Sequence, residues 1–192
     1  MSSPFLFFAE DRLSTAELAA ARLDGLLVEL GEAYIPADAV ETAALRAGSL
    51  VRLLGDARAA SHLSAAWIHG ALDGPPARHT VQRAVPHRLH ASFDRRFVYR
   101  DPAIPPHDLV MVGGVHVTSP MRTIVDLART PDPAHAEAAL RMARSEPRLA
   151  GEALARVTAS GPFPRKRAAV MLLRELTATA AGGQDEVTRY TS

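Results

Sequence analysis

A strand that runs directly into a capped helix constrains this chain more than any other stretch. Residues 112–129 read Val-Gly-Gly-Val-His-Val-Thr-Ser-Pro-Met-Arg-Thr-Ile-Val-Asp-Leu-Ala-Arg. Val115 and Val117 alternate with His116, the period of a half-buried strand. Thr118 and Ser119 then offer N-cap hydroxyls, and Pro120 stands where the first helical residue needs no N–H. Met121, Ile124, Val125 and Ala128 supply an apolar helical face. Arg122 and Asp126 lie four apart, close enough to pair on one side of that helix.

The remaining patterns predict an α+β chain. Ser14-Thr15-Ala16-Glu17 is a capping box that opens a helix over 15–23, interrupted at Gly25. Leu26 to Leu30 and Ala33 to Ile35 read as short strands around Gly31-Glu32, a wing-like hairpin. A second helix is predicted from Thr42 through Leu54, and a third over 57–70 with Gly70 at its C-cap. Residues 79–85, 96–100 and 109–117 are strand candidates. Helices are predicted over 120–129, 133–145, 149–159 and 164–180, with a frayed tail from Ala181.

The helix start Val117-Thr118-Ser119-Pro120-Met121-Arg122-Thr123-Ile124-Val125-Asp126-Leu127-Ala128-Arg129 resembles a segment of AbiEi-like antitoxins, the regulatory halves of type IV toxin–antitoxin systems, in their actinobacterial branch. Leu30-Gly31-Glu32-Ala33-Tyr34-Ile35-Pro36 resembles the end of that family's small winged-helix module. Ser61 to Gly70, with Trp67 and His69, is similar to one of its helices, and residues 75–85 and 97–100 to the strands that follow. The resemblance covers residues 14–130. It implies a truncated winged-helix-like module at 1–41, packed on a mixed helix/sheet antitoxin-like domain at 42–192. It also implies autoregulation through operator DNA and neutralisation of a nucleotidyltransferase-type toxin, which is a functional partner but not of necessity a physical one.

Composition narrows the chemistry. Cysteine is absent, which excludes disulfides and thiolate catalysis. No apolar run is long enough for a membrane span, and the Pro4-to-Ala9 run lacks the preceding positive charge of a signal peptide, so a cytoplasmic protein is expected. Lys166 is the single lysine and follows Phe-Pro-Arg, so no phosphate-cradling Gly-x-x-x-x-Gly-Lys exists. The net charge of +1 is spread unevenly: residues 1–45 carry −6, 46–129 carry +5 and 130–192 carry +2.

A strip from residue 78 to 100 holds Arg78, Arg83, Arg88, Arg95, Arg96 and Arg100, with His79, His87 and His90, against Asp94 alone. Phe93, Phe97 and Tyr99 interleave. Arginine suits bidentate contacts with phosphate or carboxylate, so the strip reads either as a nucleic-acid or acidic-partner surface or as a solvated sheet face. The acidic first 45 residues oppose a phosphate backbone, so this module is expected to cap the larger domain instead of reading DNA alone.

No catalytic, cofactor or metal set is complete. His62 and His69 are seven apart, without the closer spacing and third ligand a metal needs, and His69 before Gly70 reads as a helix-end residue favoured by the dipole. Ser61 and Ser64 near His62 lack a third orienting group. Arg122, Thr123 and Asp126 form no reaction scheme, and with Ser119 and Pro120 they read as a structural junction. Pro164-Arg165-Lys166-Arg167 is read as opening the last helix, where cations oppose the macrodipole. The expected function is a non-enzymatic antitoxin-like regulator acting by binding. The rival is a nucleic-acid-binding protein unrelated to toxins, and an enzyme ranks last.

Overall fold

The computed structural model describes residues 3–89 and 94–188, with side chains through residue 179. The fold is α+β. Its chain divides into two compact units, one of residues 1–60 with 74–117, the other of residues 61–73 with residues from 118 onward.

In the first unit the capping box forms as predicted. Ser14 caps α1 (Thr15–Leu23) through the Glu17 backbone N–H, while the Glu17 carboxylate accepts from the Ser14 N–H. The Ser14 N–H and hydroxyl, both donating to that carboxylate, hold the Glu17 carboxyl below its usual range. Strands β1 (Leu27–Leu30) and β2 (Ala33–Pro36) pair antiparallel around Gly31-Glu32. The chain before α1 belongs to this core, since Leu6 and Phe8 are buried and Phe7 exchanges two backbone hydrogen bonds with Tyr34. Arg52 donates to the Ala9 carbonyl at 2.9 Å and lies over the Phe8 ring. The helix predicted over 42–54 is two, α2 (Ala43–Ser49) capped by Thr42 and α3 (Val51–Leu54), separated by Leu50.

A five-stranded sheet takes the order β5-β4-β3-β7-β6, from β3 (Arg58–Ala60), β4 (His79–Arg83), β5 (Phe97–Arg100), β6 (Leu109–Val112) and β7 (Val115–Thr118). Two expectations fail here. Residues 57–70 are not one helix. Alanine favours helix locally, but Ala59 and Ala60 are fully buried and pair antiparallel with β4 and parallel with β7. The predicted strand over 109–117 is two strands joined at Gly113-Gly114, both at positive φ. A Cβ on Gly113 would stand 2.1 Å from the Ala44 carbonyl oxygen, so only glycine lets this turn approach α2.

The second unit is helical apart from the end of β7. Its elements are α4 (His62–Ile68), α5 (Pro120–Ala128), α6 (Pro133–Ser145), α7 (Pro147–Ala159) and α8 (Lys166–Thr188). Ile124, Leu127, Met142, Leu149 and Leu173 form its core with a run of alanines. The helix predicted from 164 starts at Lys166, because Arg165 takes φ +61, and it continues through Thr188, past the predicted end at 180 and into the stretch read as frayed. Among the described residues no helix is long and apolar enough to cross a membrane.

Candidate functional site

The arginine strip is not one uniform surface. β4 is buried at every residue, so period-two alternation does not separate its sides. Arg83 is therefore buried, at 9% exposure, with its guanidinium donating to the Asp101 and Pro86 carbonyls. It is a structural arginine, which corrects the reading of it as a solvent-facing binder. Arg78 donates to the Arg95 and Phe97 carbonyls and ties the chain before β4 to β5. Phe97 is core, with Arg58 over its ring, while Tyr99 is half-buried and donates to the Asp101 carboxylate.

Arg96 is held twice, by Asp94 at 2.6 Å and by Glu32 of the β1–β2 turn at 2.9 Å. The Arg96 hydrogen bonds hold the Asp94 carboxyl well below its usual range, to about 2. Burial lowers the pKa of His79, against the opposing pull of Glu32. Asp101 lies 3.9 Å from Arg83 and 3.8 Å from Arg88, so it draws those two together. Six arginines thus stand among three carboxylates, Glu32, Asp94 and Asp101, a local balance of +3 where the sequence counted a single acid. Arg88 is 86% exposed with only that loose contact. The side chains of Arg95 and Arg100 are exposed and have no hydrogen bond or ion pair among the described residues. His90 and Phe93 lie outside the described residues.

The strand-to-helix junction forms as its residues predict. Ser119 caps α5 through the Arg122 N–H at 3.2 Å, and Pro120 occupies the first turn. The Thr123 hydroxyl reaches the Thr118 hydroxyl at 2.8 Å and the Thr118 and Ser119 carbonyls. Asp126 is 3% exposed and accepts from Arg122 at 2.7 Å, with Arg129 at 3.5 Å. All these polar groups satisfy one another and tie Thr118 and Ser119 to the first turns of α5.

The histidines separate. His69 follows α4 as its C-cap, just before Gly70 at φ +87, and its Nε2 lies 2.8 Å from the Thr118 carbonyl. A carbonyl only accepts, so His69 donates there. Burial also lowers its pKa, so a neutral donor replaces the charged dipole partner read from the sequence. His62 is buried at φ +51, with Ser61 Oγ at 3.1 Å from its Nδ1 and the His135 ring edge-on at 6.1 Å. Trp67 is fully buried beside them in sequence, a core residue of α4. Among the described residues no group of three or more His, Asp or Glu could hold a metal ion.

The last helix start holds an arrangement that the sequence only half revealed. Lys166 donates to the Thr158 and Ser160 carbonyls at the end of α7, so this cation offsets one helix's C-terminal charge while opposing another's N-terminal charge. Arg129 donates to the Pro164 carbonyl and lies 4.8 Å over the Phe163 ring. Arg122, Asp126 and Arg129 are therefore continuous with the α7–α8 link, a connection across 35 residues that spacing along one helix does not show.

No curated protein matches the chain. One solved structure, that of the RV2827C protein from Mycobacterium tuberculosis, is similar at 18% identity and a TM-score of 0.38, over 88% of this chain and 76% of that one. A likeness of that degree bears on neither fold nor function. Residues 59–175 match the model of the AbiEi antitoxin C-terminal domain, a span that holds the arginine strip, the junction and nearly all of the second unit's core. The chain belongs to the AbiEi antitoxin C-terminal domain family and so to the proteins of toxin–antitoxin systems.

Proposed function

We propose that the chain is a non-enzymatic antitoxin-like regulator of a type IV toxin–antitoxin system and that it acts in the cytoplasm by binding. The family match over 59–175 carries this reading. Its binding surface is the outer part of the strip, Arg88, Arg95 and Arg100, whose guanidinium groups face water while Arg78, Arg83 and Arg96 are engaged within the fold. The ligand is a polyanion, in the first place operator DNA upstream of the chain's own gene. The neighbouring nucleotidyltransferase-type toxin is the functional partner.

Residues 1–41, the winged-helix-like module, act as part of the first unit and not as a free DNA reader. Three of their eight acids are engaged from later in the chain: Asp11 by Arg52, Glu41 by Arg46 and Glu32 by Arg96. Those pairs remove negative charge that would repel a duplex, but they do not supply the positive face that a duplex needs.

The test is binding of upstream duplex DNA across a salt series, by wild type and by Arg88→Glu, Arg95→Glu, Arg100→Glu together. Each phosphate that an arginine neutralises steepens the log–log salt dependence by about 0.9, so the triple variant should be shallower by roughly 2.7. Equal affinity and equal slope in the folded variant would remove the strip from the account.

A further inference from the structure

The second unit carries an open groove of about 690 Å³ at the start of α8. Its floor is Phe163, Val170 and Met171, and its rim carries Arg165, Arg167 and Arg174. Met171 is 73% exposed, an unusual position for a large apolar side chain beside a packed helical core. Residues 167, 170, 171 and 174 follow the i, i+3, i+4, i+7 spacing, so one face of α8 presents apolar and cationic groups together. The side chains of Arg165, Arg167 and Arg174 are exposed and make no hydrogen bond or ion pair among the described residues. In the strip, by contrast, three of the six arginines are committed inside the fold.

The floor is set by neighbouring side chains of the same unit. Arg129 lies over Phe163 and donates to Pro164, while Lys166, also in the lining, donates to the carbonyls at the end of α7. The groove therefore exists before anything binds, and its lysine does not compete with the three arginines.

We infer that this groove docks an acidic amphipathic helical segment of a partner protein, with apolar side chains seated on Phe163, Val170 and Met171 and carboxylates reaching Arg165, Arg167 and Arg174. Charge complementarity selects an acidic occupant, and among the described residues no acid lines the groove. The apolar floor selects protein over duplex DNA, whose bases are stacked inside and whose phosphodiester backbone has no group to place on methionine and phenylalanine. Methionine adapts its shape to differing apolar anchors, and arginine matches carboxylates bidentately. The docking mode is a helix in a groove, read by anchors three and four residues apart. This surface lies in the other unit from Arg88, Arg95 and Arg100, so it stands or falls apart from the proposed DNA surface.

The test uses the full chain and a labelled synthetic helical peptide with glutamate on one face and leucine and phenylalanine on the other. Anisotropy is measured for wild type, for M171D and for R167E with R174E, with circular dichroism melts as folding controls. Each variant is expected to weaken the peptide about tenfold or more while leaving duplex DNA binding unchanged. A glutamine-for-glutamate peptide is expected to bind wild type about tenfold more weakly than the acidic one. No binding by wild type, or equal binding by wild type and either folded variant, would overturn the inference. So would loss of duplex binding in R167E with R174E, which would make the groove a nucleic-acid surface. Self-association of wild type that M171D abolishes would assign the groove to a second copy of the chain and overturn it equally.

Discussion

Truncating Arg122 to alanine strands a carboxylate that is 3% exposed. Asp126 sits 2.7 Å from Arg122 Nε, and Arg122 itself is only 17% exposed, so the pair lies close to the buried limit. Removing one member of a buried pair costs on the order of 3–5 kcal/mol, against less than about 1 kcal/mol for an exposed pair. Arg129 remains 3.5 Å from the carboxylate and lowers the cost toward the bottom of the buried range, about 3 kcal/mol. For a unit of under 100 residues that corresponds to a fall in Tm of roughly 12–24 °C. The pair also holds α5, through Arg129, to Phe163 and Pro164, so the transition that moves should be that of the helical unit. Calorimetry of wild type, Arg122→Ala, Arg129→Ala and the double replacement Arg122→Met with Asp126→Leu measures this. The order expected is Arg122→Ala worst, with the double replacement milder, because it leaves no unpaired buried charge. A wild-type Tm in Arg122→Ala together with lost function would refute the structural assignment and mark the pair as a binding site.

Three further outcomes follow from the same geometry. Arg83→Ala should destabilise the first unit by about 2 kcal/mol, since it removes hydrogen bonds to the Asp101 and Pro86 carbonyls from a buried site, whereas Arg95→Ala should leave Tm unchanged in thermal melts. Gly113→Ala should abolish soluble expression or cost more than about 3 kcal/mol in urea unfolding, while Gly114→Ala, at φ +86 with open space around it, should cost about 1 kcal/mol. His69 has its pKa lowered by burial, so its stabilising contribution is present above the unfolded histidine value near 6.5 and is lost as pH falls through and below it. Melting at pH 7.5 and at pH 5.5 should show a drop that His69→Gln diminishes, and an undiminished drop would remove His69 as the cause.

Local signals are legible in the sequence and non-local ones are not. The Ser14 capping box and the Ser119-Pro120 start of α5 involve residues a few positions apart, and both form at the expected residues. The Ala-rich stretch before Ser61 misleads, because the pairing that makes β3 a strand comes from residues 81–83 and 116–117. The same distance hides which arginines face water. Glu32 meets Arg96 across 64 residues, and Asp101 meets Arg83 across 18, so a count of nearby acids leaves the strip too positive. The groove on α8 is half visible, as a cation cluster and an apolar stripe. Their joining into one surface depends on Arg129 and Phe163, which no spacing connects.

The claim that the chain is a regulator acting through its exposed arginines is tested most directly by repression of a reporter placed behind the region upstream of its own gene. The reporter is read with wild type, with the Arg88→Glu, Arg95→Glu, Arg100→Glu variant, or with no second gene. Wild type should repress it and the folded triple variant should not. An unrepressed reporter in the presence of well-expressed wild type, or full repression by the triple variant, would contradict the account.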